Sequence, residues 1–502
     1  MQTPLEFESR IMDLPLEFES SEPVPAQLIG YISVSSQGGV SVLQSEALER
    51  AEPFHASESD HQEAERAISA MGFTILAESR LGKSVAGPPE AYEELTGGSL
   101  VTRERLVRAE AGRERYVTHV DIVGPDQPTA LGIGVARSEA TRIEGVILER
   151  PRVPMAVFPS PIPPTVQKYH LRLPDDVALL LQAETAHRKG RLGEAVTVAM
   201  VDSGQYSHPY FLAHGYDVRP GVSVVPNTSP AKDPVGHGTG ESANIFAVAP
   251  GATLRPYRAS NDAGQLVGAV AGFLRAKADR PQILTNSWGG DGQFPPPGSP
   301  DPAERAFALE IRDAIEQGIL VVFSGGNGQF SIEPQVTGVL AAGGAFVDAG
   351  LTLQASNYAS GYVSPWFPGV TVPTVCGLVG LTPRAQYLML PIPPGCQIDV
   401  MESTAQEDDT PDGTSNNDGW ALFSGTSAAA PQLAGAAALV LGAKPGLAPA
   451  QVIQALTATA VDVVVGRCNR RFNQPAGPGH DTATGSGLVN ASAAVDSALS
   501  LP

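Results

Sequence analysis

Between Glu194 and Gly326 the chain alternates short apolar runs with longer amphipathic ones. EAVTVAMVD and ATLRPYRA read as strands, DAGQLVGAVAGFLRAKAD as a helix before the strand QILTNSW, and PAERAFALEIRDAIEQG as a helix before the strand ILVVFSGG. Strand and helix in turn imply parallel strands, because a parallel pair needs a crossover connection and a helix is the usual one. The pattern therefore predicts an α/β fold with a mostly parallel central sheet covered by helices. In such sheets chemistry collects at the carboxyl ends of the strands. A length of 502 residues with 42% hydrophobic residues leaves room for this core and one or two further units.

The N-terminal third is organised differently. PLEFES occurs at Pro4–Ser9 and again at Pro15–Ser20. Its apolar–acidic alternation suits a strand added to the sheet edge of an unknown partner, but an acidic tail over residues 1–28 is the favoured expectation. Residues 29–150 read as a small α+β unit. IGYISVSS and FTILAES are strands around the helix SDHQEAERAISAMGF, followed by the helix PPEAYEELTGG and the strand RYVTHVDIVG. Strand–helix–strand, then helix–strand, is the order of a ferredoxin-like sandwich. PRVPMAVFPSPIPPT carries six prolines, which predicts an extended linker over 151–170 before a main domain at 171–502.

Bulk properties exclude some partners. A net charge of −20 argues against nucleic acid, which wants a basic surface. No run approaches the roughly 18–20 uninterrupted apolar residues of a membrane span. MQTPLEFESRIMDLPLEFESSEP lacks the basic and apolar regions of a secretory signal, so the expected location is cytoplasmic, with leaderless export open. Only Cys376, Cys396 and Cys468 occur, too few for a disulfide framework. Cys376 and Cys396 are either a pair or, the favoured reading, buried thiols.

Three residue types that together make a nucleophile stand at element ends. Ser427, in FSGTSAAAPQLAGAAAL, precedes an alanine-rich helix with Pro431 in its first turn. Unpaired N–H groups and the positive dipole end gather there, although most serines at helix starts are only caps. Asp202 follows an apolar strand in MVDSGQYSHP, and His237 lies between glycines in DPVGHGTGESANIFAVAP. A serine hydroxyl needs an adjacent base, and an imidazole base needs a carboxylate to fix its tautomer. Asn327, in ILVVFSGGNGQF, follows two glycines at a strand end and could donate to a developing oxyanion beside the Ser427 N–H.

VTVAMVDSG, GHGTG, SGGNG and SGTSAAAP resemble, in order, the aspartate, histidine, oxyanion-asparagine and serine motifs of the subtilisin-like serine proteases, the subtilases or peptidase family S8. The resemblance covers residues 171 to 499. It implies a three-layer α/β fold and endopeptidase activity through an acyl-enzyme. Asp202 would orient His237, His237 would take the proton of Ser427, and Asn327 with the Ser427 amide would hold the oxyanion. TNSWGG resembles the family's substrate-pairing edge, so Ser287, Trp288 and Gly289 would flank the S1 and S4 pockets, which take the first and fourth residues before the scissile bond, with core packing the equal alternative for Trp288. Ser324, Gly325 and Gly326 would wall the pocket for the residue before the scissile bond. Residues 29–150 would be a propeptide that assists folding and then inhibits, making the protein a zymogen cut around Gln167–Leu173. No cofactor is required by this reading.

The chain departs from the family pattern in places. After GHGT the family continues with histidine, valine and alanine, where this chain has Gly240, Glu241 and Ser242. That predicts a helix trimmed on its buried side. VPTVCGLVGLTPRAQYLML replaces the usual segment ending in alanine-proline-glycine. The family often binds calcium, and DDTPDGTSNNDG is spaced like the start of a calcium loop. Gly419 stands where its bidentate glutamate should be, so a solvated loop is the favoured expectation and a structural calcium the alternative. Sedolisins, which share a similar SGTSA context but use a glutamate base, fit less well because GHGTG is present. The alternative from another class is an inactive homologue that binds peptides in the cleft.

Overall fold

The computed structural model describes residues 17–46, 49–108, 114–124, 132–137, 141–154, 169–383, 385–404 and 411–501. Its C-terminal part is the expected α/β assembly. Five parallel strands form the middle of a nine-stranded sheet: β10 (Thr197–Asp202), β11 (Thr253–Arg258), β12 (Ile283–Asn286), β14 (Leu320–Ser324) and β15 (Leu340–Val347). Their spatial order is β11-β10-β12-β14-β15, and β16 (Val375–Leu378) continues the parallel pairing beyond β15. The two-residue strand β13 (Trp288–Gly289) lies just past the end of β12. β12 and β14 are buried along their whole length, which is why they read as continuous apolar runs and not as alternating ones.

Helices cover both faces. α4 (Ala269–Ala278) and α5 (Pro302–Glu316) pack on one side with β10, β12 and β14 residues between. α5 starts where its sequence says it should. Asp301 accepts from the amides of Ala303 and Glu304, the Glu304 side chain returns to the Asp301 amide, and Pro302 sits in the first turn. On the other side lie α3 (His237–Val248) and α6 (Thr426–Ala443).

Every residue of α6 from Thr426 to Leu441 is buried. Its mean hydropathy of 1.3 over 18 residues would suit a bilayer, but Thr426, Ser427, Pro431 and Gln432 interrupt its apolar run and 83% of it is buried inside the protein. Its apolar face all round reflects a helix threaded through the core. The small residues make that passage fit. A Cβ on Gly435 would lie 2.8 Å from the Ile245 carbonyl of α3, and one on Gly377 of β16 would lie 2.8 Å from Ala429 Cα. Cys376, Cys396 and Cys468 are all free and buried, which resolves the pairing question in favour of thiols.

The N-terminal part builds its own five-stranded antiparallel sheet in the order β3 (Thr74–Glu78), β4 (Gly82–Gly87), β2 (Leu28–Val34), β8 (Ile143–Leu148) and β7 (Ile133–Val135). α1 (Glu58–Ala70) connects β2 to β3, and α2 (Pro89–Thr96) leads out of the sheet after β4. A hairpin, β5 (Ser99–Arg108) with β6 (Glu114–Val123), projects from it. The second LEFES repeat is not a tail where it is described. β1 (Glu17–Glu19) pairs antiparallel with β5, and Glu17 meets Arg105 at 3.1 Å, so opposite charge recruits the acidic strand to the chain's own edge. The first repeat lies outside the described residues.

The two parts share one apolar core: Tyr31, Leu43, Phe54 and Leu81 cluster with Phe273 of α4 and Phe307 of α5. A buried polar knot reinforces it. Lys277 of α4 pairs with Glu310 and Asp313 of α5, while Tyr31 and Ser79 donate to Glu310 and Arg80 donates to Asp313. Burial lowers the Lys277 pKa, against the pull of Glu310. Glu149, just past β8, accepts from the Val270 amide at 2.7 Å and so caps α4, which has no capping side chain of its own.

Residues after Glu149 do not leave as a linker. β9 (Val153–Pro154) pairs antiparallel with β13, Val153 opposite Gly289 and Pro154 opposite Trp288. Residues 155–168 of the expected linker lie outside the described residues, and Leu171–Arg172 already pair with Leu388–Met389. Replacing Lys277 with alanine leaves two buried carboxylates short of their shared cation. We expect it to lower stability by about 3–5 kcal/mol, measured by urea unfolding in a Ser427→Ala background.

Candidate active site

The carboxyl ends of β10, β12 and β14 meet the start of α6. Asp202 ends β10, and its Oδ1 accepts from His237 Nδ1 at 2.7 Å and from the Ser203 amide at 2.6 Å. Both side chains are buried. His237 opens α3, and the turn before it is fixed by Asp233, a residue that sequence reasoning missed. Asp233 accepts from the Gly236 amide, from the Thr239 amide and hydroxyl, and from Ser203 Oγ, all within 2.9 Å. An acidic residue four positions before the histidine, at the mouth of a helix, was the available signal. Gly238 must be glycine, because a Cβ there would lie 2.3 Å from the Gly204 carbonyl.

Ser427 stands in the first turn of α6. Its Oγ donates to the Ser287 carbonyl at 3.1 Å, and Ser287 Oγ donates back to the Ser427 carbonyl at 2.8 Å. β10 and β12 are paired with Val201 opposite Asn286, so Asp202 and Ser287 are the next residues on adjacent strand ends. The imidazole held by Asp202 and the hydroxyl held by Ser287 therefore occupy one rim. Asn327 follows β14, and its Oδ1 accepts from the Thr426 amide at 2.9 Å and hydroxyl at 3.1 Å. That commitment sets the amide plane and leaves its NH2 as the donor end. The Thr426 hydroxyl also accepts from the Gly326 amide at 3.1 Å, tying this loop to α6.

His237 Nε2 is buried and has no hydrogen-bond partner among the described residues, and Glu241 Oε1 lies 3.9 Å from it. Burial opposes a charged imidazole, yet Asp202, aided by Glu241 and Asp233, outweighs it and lifts the His237 pKa to about 9. Burial raises the Glu241 carboxyl to about 8, with His237 pulling the other way. Glu241 does not trim α3: the helix runs its full 12 residues, all buried. Glu241 is accommodated because its Oε2 accepts from Asn244, whose Oδ1 accepts from Gln432 of α6, each at 3.1 Å. An imidazole with Nδ1 fixed to a carboxylate and Nε2 unpartnered is equipped to accept a proton.

A cavity of about 1460 Å³, lined by His237, Leu266, Gln397 and Tyr116 among others, opens beside this rim. Trp288 does not face it. Its side chain is fully buried against Phe307 and Phe323, and its Nε1 donates to the Val201 carbonyl at 2.7 Å. Only the backbone of Trp288 and Gly289 is presented, and β9 already occupies it. Ser324, Gly325 and Gly326 lead into Asn327. Gly326 has φ +105, and a Cβ on Gly325 would lie 2.8 Å from the Ala342 carbonyl. In the acidic loop, Asp412 and Asp418 accept from nearby backbone amides. No group of three or more His, Cys, Asp or Glu among the described residues is placed to hold a metal.

Residues 193–487 match the family model of the subtilase family, Peptidase_S8. The chain is 28% identical over 294 residues to subtilisin E of Bacillus subtilis (strain 168), a match covering 56% of this chain and 64% of that protein. It is 27% identical over 327 residues to subtilisin Savinase of Lederbergia lenta, covering 62% of this chain and 96% of that one. Among solved structures, fervidolysin from Fervidobacterium pennivorans, described as a keratinolytic enzyme related to subtilisin, superposes with a TM-score of 0.53 at 18% identity. That superposition covers 94% of this chain and 61% of fervidolysin. A match over more than half the chain, running from just before β10 through α6, makes this protein a member of the subtilase family.

Proposed function

We propose that the protein is a serine endopeptidase made as a self-inhibited precursor. Asp202 orients His237, His237 takes the Ser427 proton, and Ser427 Oγ attacks the substrate carbonyl. Electrons move onto the carbonyl oxygen, which the Asn327 amide and the Ser427 N–H stabilise. His237 then returns the proton to the leaving amine, and water hydrolyses the acyl-enzyme by the same steps reversed. The observation that carries the reading is the buried 2.7 Å bond between Asp202 and His237 Nδ1, with Nε2 left without a partner among the described residues and Ser427 held at the helix start on the neighbouring strand end. Ser427 Oγ rests on the Ser287 carbonyl, so the proposed proton transfer requires it to leave that carbonyl for His237 Nε2.

The N-terminal unit acts as the inhibitor in this proposal. It shares a core with α4 and α5 and lays β9 on β13, where a substrate strand would pair. The processing point then falls shortly after Pro154, upstream of the Gln167–Leu173 region suggested by sequence, since Leu171 is buried in a separate sheet. N-terminal sequencing of the active protein should find a start after Pro154. A start at Met1 in fully active protein overturns the precursor reading.

A fluorophosphonate should label the processed and diluted protein stoichiometrically, and Ser427→Ala should abolish the label and lower kcat by about 10⁶-fold, the scale known for loss of the subtilisin serine. Asn327→Ala should keep the label and lower kcat by about 10²–10³-fold, as loss of the oxyanion asparagine does in subtilisin. Absence of label in a processed sample would favour a peptide-binding homologue.

The base must be neutral to act, and its pKa lies above the ordinary histidine value of 6.5. Activity is therefore lost as pH falls and should keep rising towards about pH 9. Glu241→Gln removes a negative charge that favours the imidazolium, so the acid limb of kcat/KM should move to lower pH. An unmoved limb would show that Glu241 does not couple to the base.

A further inference from the structure

Arg152 enters the cleft beside β13 and finds a carboxylate waiting. Its backbone bridges Leu266 on one side, and the next two residues pair with Gly289 and Trp288 on the other. Its Nη1 donates to Glu333 Oε1 at 2.7 Å, and its guanidinium lies 5.6 Å above the centre of the Phe307 ring. Glu333 is fully buried, and its Oε2 has no hydrogen-bond partner among the described residues. Among the described residues, Arg152 is the one cation paired with Glu333. A buried carboxylate without a cation is costly, so the site is complete only when something positive fills it.

The register says which substrate position this is. A strand paired as β9 is, with successive residues opposite Gly289 and Trp288, brings its next residue opposite Ser287. The Ser287 carbonyl is the group that holds Ser427 Oγ. The residue whose carbonyl is attacked thus lies three positions after the one in the place of Arg152. We propose that Glu333, with the Phe307 ring, forms a subsite selecting arginine, and less strongly lysine, at the fourth residue on the N-terminal side of the cleaved bond. The inference rests on the endopeptidase reading and adds the class of substrate. Arginine suits the site better than lysine because a planar guanidinium can bond Glu333 while stacking on Phe307.

The test uses the full chain after its own processing and four amide-linked coumarin peptides, acetyl-X-Val-Pro-Met, with X arginine, lysine, alanine or glutamate. The Val-Pro-Met portion copies residues 153–155. Active-site concentration is set by fluorophosphonate titration. We expect kcat/KM for arginine to exceed that for alanine by about 10–100-fold, with lysine between and glutamate lowest. In Glu333→Gln the arginine-to-alanine ratio should fall towards one, and in Glu333→Arg glutamate should become the best of the four. An enzyme that takes the label and cleaves the arginine and alanine peptides within twofold overturns the subsite and leaves the endopeptidase reading standing. A chain that neither labels nor cleaves any peptide overturns both.

Discussion

The architecture depends on how closely a buried helix can pass its neighbours. α6 runs from Thr426 to Ala443 through the middle of the C-terminal core, and glycine and alanine let it touch α3 and β16 backbone to backbone. Its first turn is pinned from two directions, by Asn327 on Thr426 and by the reciprocal bonds between Ser287 and Ser427. Gln432, one turn further on, reaches both the Leu378 backbone of β16 and Asn244 of α3. A larger side chain at these contacts would lift the helix and move its N-terminus, and with it the hydroxyl. Packing precision in the core and placement at the rim are one problem here.

The rim was legible in the sequence because each of its parts is local. Asp202, His237, Asn327 and Ser427 each sit in a strand end, a glycine turn or a helix mouth, and those signals survive without knowledge of the partner element. The alternation of strands and helices carried the sheet for the same reason. Features made by distant pairs were not legible. Trp288 reads equally well as a pocket wall or a core residue, and the end of β12 turns its indole inward to Val201. Glu241 looks like a defect in α3 until Asn244 and Gln432 are seen to receive it. The proline run after Pro151 reads as a spacer, yet extended geometry is also what a paired strand requires, and its partner lies more than a hundred residues away.

The acidic excess of the chain also becomes specific in three dimensions. Part of it is spent on internal contacts that cross between the N-terminal and C-terminal sheets: Glu310 and Asp313 receive Tyr31, Ser79 and Arg80, and Glu149 receives the Val270 amide. Sequence composition gives only the sum of the charge. Position decides that these carboxylates are docking groups and that Glu333, facing Arg152, is a recognition group.

Glu149 has a consequence for how the molecule would switch on. It finishes a helix that belongs to the other unit, so severing the backbone after Pro154 would change nothing about that cap or about the apolar faces beneath it. The severed piece would behave as a tightly held ligand, and the fraction of open molecules would follow mass action. A concentrated stock would then stay largely silent and awaken on dilution, without any further bond being cut.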